Sequence, residues 1–120
     1  TAAYLQWRYG TPLLGYHAIV ARGGLTQGVA VFRVRGRGTA REAALCDLLV
    51  AGGDRDVEAT LVREVARVDA DYVIALGGRA IRPGLMVRLP RQGPLLTWRG
   101  VTDASKPPLW NLTLGDIELF

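Results

Sequence analysis

A chain of 120 residues, 49% hydrophobic and 22% charged, can build one buried core and not two. No apolar run approaches the roughly 20 residues of a membrane-spanning helix, and Cys46 as the single cysteine excludes an intrachain disulfide. The net charge of +4 rests on scattered arginines, with Lys106 the only lysine, so a clustered nucleic-acid footprint is not the expected reading.

In chain order, residues 2–9 predict one or two helical turns, stopped by Gly10 and Pro12. Residues 16–22 read as a strand and Gly23-Gly24 as a turn. Residues 28–35 alternate, with Ala30, Phe32 and Val34 on one face and Val31, Arg33 and Arg35 on the other, which predicts a half-exposed antiparallel strand. Gly36-Arg37-Gly38 reads as a hairpin turn, not a dinucleotide loop, because no helix follows it.

Residues 43–50 are apolar but for Asp47, the pattern of a strand covered on both faces. Ala51-Gly52-Gly53 breaks that run. From Asp56 to Asp69 the apolar positions Val57, Leu61, Val62, Val65, Ala66 and Val68 recur at helical spacing. Asp54 and Asp56 are placed to cap the free N–H groups at the helix start. Residues 71–76 return to a strand. A helix crossing between two strands of one sheet favours parallel pairing, and ligands dock where the first strand meets the helix. Beyond residue 76, short strands are expected at 85–89, 95–98 and 109–114, with a polar loop over 103–108.

Chemistry-bearing residues are few. His17 and Cys46 stand alone, so no zinc-like spacing exists. Ser105 lies beside prolines and lacks the setting of a nucleophile elbow. Cys46, within an apolar strand, reads as a small buried hydrophobe. Asp47 is the odd residue of its strand. A carboxylate there is paired, protonated or part of a site, and the residues alone leave these open. Trp7, Trp98 and Trp110 read as packing residues.

Three strings resemble a divergent branch of the GNAT N-acetyltransferase superfamily: residues 4–9 (Tyr-Leu-Gln-Trp-Arg-Tyr, with Pro12 and Tyr16), Asp47-Leu48-Leu49-Val50, and residues 110–116 ending in Gly115-Asp116. The resemblance implies an α/β (α+β) fold, a mixed and mostly antiparallel sheet of about six or seven strands with one principal helix. It also implies an acetyl-CoA or other acyl-CoA cofactor and an amine acceptor. Pantetheine would lie along Leu48, Leu49, Val50 and Ala51, and pyrophosphate on Gly52, Gly53, Asp54, Arg55 and Asp56, reaching to Glu58. Asp47 or a bound water would be the base. A family loop would carry Gln or Arg with spaced glycines, whereas Asp54 and Asp56 stand here; the alternative expectation is a degenerate, non-catalytic module for binding or dimerisation. Thr1 opens the chain, and by the resemblance the first elements of a complete fold would be missing from it. Residues 1–120 are therefore expected to be one domain, incomplete at its N-terminus, cytoplasmic, and paired as a homodimer through Tyr4, Leu5, Trp7 and Tyr9.

Overall fold

The structure, a computed structural model, describes residues 1–76, 86, 87, 89 and 112–116. These form helix α1 (Ala2–Tyr9), strands β1 (Tyr16–Val20), β2 (Gly28–Arg37) and β3 (Ala40–Val50), helix α2 (Arg55–Val65) and strand β4 (Tyr72–Ala75). Short 3-10 turns occupy Pro12–Leu14, Ala51–Gly53 and Leu114–Asp116.

The strands lie in the order β1-β2-β3-β4. The first two pairings are antiparallel, and β3 with β4 is parallel. The expected strand–helix–strand unit is therefore present, with α2 as its crossover. The β2–β3 hairpin closes at Arg37 opposite Ala40, and Gly38 takes φ +64°, a left-handed angle that glycine reaches without steric cost.

One face of the sheet carries Ala30, Phe32 and Leu45, sealed by Leu61, Val62 and Val65 of α2. Helix and sheet meet closely at Gly28, where a Cβ would come within 3.2 Å of Val57 and 3.3 Å of Leu61. The opposite face carries Val29, Val31 and Cys46, covered by Tyr9 with Leu5 and Tyr16 beside it. Tyr9 meets Tyr16 edge-on, their ring centroids 4.8 Å apart.

Several expectations are corrected. Four strands are present among the described residues, against about six or seven. The strand expected at 95–98 falls outside the described residues; of 85–89, residues 86, 87 and 89 are described, and only 86 forms a β-bridge. The described end of the expected last strand is not extended: Leu114–Asp116 is a 3-10 turn, tied by Asp116 to Thr113. The first half of β2 is buried on both faces rather than half-exposed, because Tyr9 covers Val29 and Val31. Helix α2 stops at Val65, short of Asp69. The chain beyond the helix tightens into turns, with the Arg67 N–H donating to the Glu64 carbonyl, and Asp69 and Asp71 reach Arg41 of β3, Asp69 its guanidinium and Asp71 its N–H at 2.6 Å.

Candidate functional site

The local event that builds the site is a bulge in β3. Val31 faces Asp47 and Phe32 faces Leu45, so Cys46 is the extra residue. Strict alternation would put Asp47 on the same face as Leu45, under α2. The bulge instead turns Cys46 and Asp47 together toward α1, while Leu45 and Leu48 keep to the α2 face. Asp47 is thereby buried, at 6% exposure, beneath Tyr9, at 9%.

A buried carboxylate needs donors, and α1 supplies them. The Tyr9 hydroxyl donates a hydrogen bond to Asp47 Oδ2. Arg8 Nε donates to the same hydroxyl at 3.0 Å and lies 3.8 Å from Asp47 Oδ2. The other arm of Arg8 reaches Asp116 Oδ1 at 2.6 Å. Asp116 Oδ2 accepts from the Thr113 N–H at 2.8 Å and its hydroxyl at 3.0 Å, closing the 3-10 turn. Gly115 fits against this cluster because it has no side chain: a Cβ there would overlap the Tyr9 hydroxyl and lie 3.2 Å from the Cys46 carbonyl. Residues far apart in sequence thus close into one network of two carboxylates, one guanidinium and one phenol, buried at Tyr9 and Asp47 and reaching solvent at Arg8 and Asp116.

The electrostatics follow from that closure. Burial, then the hydrogen bond to Asp47, pushes the Tyr9 phenol well above its ordinary range. The bond to Tyr9 likewise raises Arg8 further, against its own burial. Burial alone would raise Asp116, but the Thr113 donors and Arg8 outweigh it and hold the carboxyl below its ordinary value. Burial, then the charge of Asp47, pushes the Cys46 thiol up to about 11. At neutral pH Cys46 is a packed thiol, as its strand setting implied.

The loop residues singled out for a cofactor lie together at the carboxyl end of β3. Leu48 packs under α2 and Leu49 is on the exposed side. Ala51–Gly53 forms the 3-10 turn, in which Gly52 and Gly53 take φ +62° and +67°. Asp54 is the N-cap of α2: its Oδ1 accepts from the N–H of Asp56 at 3.0 Å and of Val57 at 3.2 Å. Arg55 opens the helix, and Asp56 sits inside its first turn beside Glu58 rather than ahead of it. The capping expectation holds for Asp54, and Asp56 lies in the first turn, where a negative charge faces the helix N-terminus.

Other candidates separate from this site. His17 lies on edge strand β1 against Phe32, ring centroids 5.5 Å apart, on the face away from Asp47. Arg35 and Arg37 both turn to buried Glu42, at 2.7 and 3.5 Å. Burial would raise Glu42, but Arg35, with Tyr72 and Arg37, holds it below its ordinary value. Among the described residues no cluster of His, Cys, Asp and Glu has the makings of a metal site. None of their helices is long and apolar enough to cross a membrane.

The residues that sequence reading did not assign to a site are Arg8, Tyr9, Thr113, Gly115 and Asp116. Their signal was present in the three strings of the GNAT resemblance, each of which contributes a member of the network. Comparisons with protein-family models, with curated proteins and with solved structures return no match to the chain.

Proposed function

We propose that the chain is a GNAT-like, acyl-CoA-dependent N-acyltransferase whose cofactor lies along the carboxyl half of β3. The observation that carries this reading is the register of β3: its pairing with β4 stops at Leu45 opposite Ala75, yet the strand runs on to Val50 before the Ala51–Gly53 turn and α2. Among the described residues, Cys46 to Val50 have a strand neighbour in β2 alone. An extended amide chain such as pantetheine adds to such an edge by backbone hydrogen bonds. The reaction is attack of the acceptor amine on the thioester carbonyl; a C–N bond forms, the C–S bond breaks, and the departing sulfur takes a proton. In this reading a bound water removes the proton of the amine, and Asp47 holds the strand that presents the thioester. The three GNAT-like strings meet in one network, the first joining the second at Asp47 and the third joining the first at Arg8 and Tyr9, which supports the same assignment.

A second reading, a degenerate GNAT-fold module without catalysis, is favoured by one contact. Asp54 already occupies the α2 N–H groups that a pyrophosphate would use, and its charge repels one. The exposed aromatics of α1, Trp7 at 76% and Tyr4 beside it, would then serve a symmetric homodimer.

Calorimetric titration with acetyl-CoA separates the two readings. Saturable one-to-one binding supports the enzyme, and replacing Asp54 and Asp56 with asparagine should keep the cap and tighten it. No heat of binding in either form sinks the acyltransferase and leaves the module.

A further inference from the structure

We infer that Arg8, Tyr9 and Asp116 are positioning residues that clasp the β3 bulge and so set the shape of the strand edge beyond it. The inference rests on the acyl-CoA reading above for its functional consequence, and on geometry for the clasp itself.

The bulge is the point where β3 changes partners. Leu45, the residue before Cys46, is the last of β3 paired with β4, and the stretch from Cys46 to Val50 is the edge assigned to the cofactor. A bulged residue interrupts the ladder and bends its strand, so the direction of that edge depends on whatever fixes the bulge. Two attachments act there on the α1 face. Asp47 is held by the Tyr9 hydroxyl and lies beside Arg8. The Cys46 carbonyl abuts Gly115, on a turn that Asp116 closes and Arg8 holds at 2.6 Å. Arg8 therefore links both attachments through its two arms, Nε to the Tyr9 hydroxyl and Nη2 to Asp116. The α2 face needs no such arrangement, since Leu45 and Leu48 are seated there by apolar packing.

A cluster that merely stabilises the fold would be replaceable by apolar residues of similar shape, because a buried polar pair is often no more stabilising than its hydrophobic counterpart. The double variant Tyr9→Phe/Asp47→Leu uses that equivalence. It removes the Tyr9–Asp47 donor and acceptor together; the Arg8 Nε–H that loses its acceptor belongs to a side chain 21% exposed to solvent that keeps Asp116 through Nη2, and the variant is expected to keep a cooperative melt close to that of the parent. Asp116→Asn, on the exposed turn, weakens the other arm of the clasp without disturbing the core.

Two readouts apply to all three proteins: acetyl-CoA affinity, and hydrogen exchange of the amides of residues 46–50 against those of β1 and β2. The expected result is at least tenfold weaker acetyl-CoA binding in the double variant, severalfold weaker in Asp116→Asn, and faster exchange confined to residues 46–50. A stable double variant that binds acetyl-CoA as the parent does overturns the inference. If the parent itself binds no acetyl-CoA, the acyltransferase reading fails by that result. The clasp is then judged on exchange alone: faster exchange at residues 46–50 in both variants upholds it, and unchanged protection overturns it. Should the double variant not fold, Asp116→Asn decides by the same two readouts.

Discussion

Replacing Asp47 with alanine tests whether this carboxylate belongs to structure. The substitution leaves the Tyr9 hydroxyl, buried at the sheet surface, without its acceptor. An orphaned buried donor costs about 1–3 kcal/mol. It also removes one of two carboxylates near Arg8, the one 3.8 Å from Nε. Two charges about 4 Å apart interact by about 4 kcal/mol at an effective dielectric constant near 20. Most of that is recovered here, because Arg8 is partly solvated and keeps Asp116 at 2.6 Å. The total is about 3 kcal/mol, at the low end of the roughly 3–5 kcal/mol for breaking a buried pair. For a chain of this size that lowers Tm by about 12 °C, at about 4 °C per kcal/mol. Asp47→Asn keeps an acceptor for Tyr9 and should lose about half as much, near 1–2 kcal/mol. Urea unfolding of the three proteins at neutral pH measures both differences. A loss under about 1 kcal/mol for Asp47→Ala would refute the structural assignment. Abolished turnover in Asp47→Asn with Tm moved by only a few degrees would reassign Asp47 as the base.

Gly115→Ala should destabilise by about 1–3 kcal/mol, since its Cβ overlaps the Tyr9 hydroxyl, which Asp47 holds in place; thermal melting checks it, and an unchanged Tm would mean that the turn shifts freely. The folded-state carboxyls of Asp116 and Glu42 lie below their ordinary values of 3.8 and 4.5, so the stability they contribute is complete above those values and is lost as pH falls through the lower folded ones. Acid titration followed by circular dichroism should show that loss diminished in Asp116→Asn. Cys46, raised to about 11, contributes stability that is present below the ordinary thiol value of 9.0 and is lost as pH rises from there through about 11, and a thiol reagent at pH 8 should modify it only after denaturant is added. Light scattering at micromolar concentration tests the dimer: a doubled mass that Trp7→Ala returns to 13.0 kDa supports pairing through α1, and a 13.0 kDa parent excludes it.

Local signals in the sequence were sufficient to locate the helices and strands of residues 1–76, though not all of their ends or the 3-10 turns. The breaks at Gly10 and Pro12, the helical spacing of Val57, Leu61, Val62 and Val65, and the apolar run before Ala51-Gly52-Gly53 all act within a few residues, and each produced its helix or strand. The parallel pairing of β3 with β4 was legible for the same reason, since a crossover helix leaves few other arrangements. Asp47 was visible as an anomaly because a carboxylate in an apolar strand is costly wherever the strand lies. What the sequence did not contain locally was the face on which Asp47 sits. Alternation assigns it to the α2 side, and only the extra residue at Cys46, a matter of register between β2 and β3, turns it to the other. Its partners were beyond local reach as well. Arg8 and Tyr9 lie 38 residues or more upstream and Asp116 far downstream, and nothing in their own neighbourhoods requires them to meet. Likewise the contacts of Asp69 and Asp71 beyond the end of α2 are with Arg41, a residue of another strand, and were not legible locally. Periodicity is a property of neighbours along the chain, whereas the closure of a polar network is a property of neighbours in space.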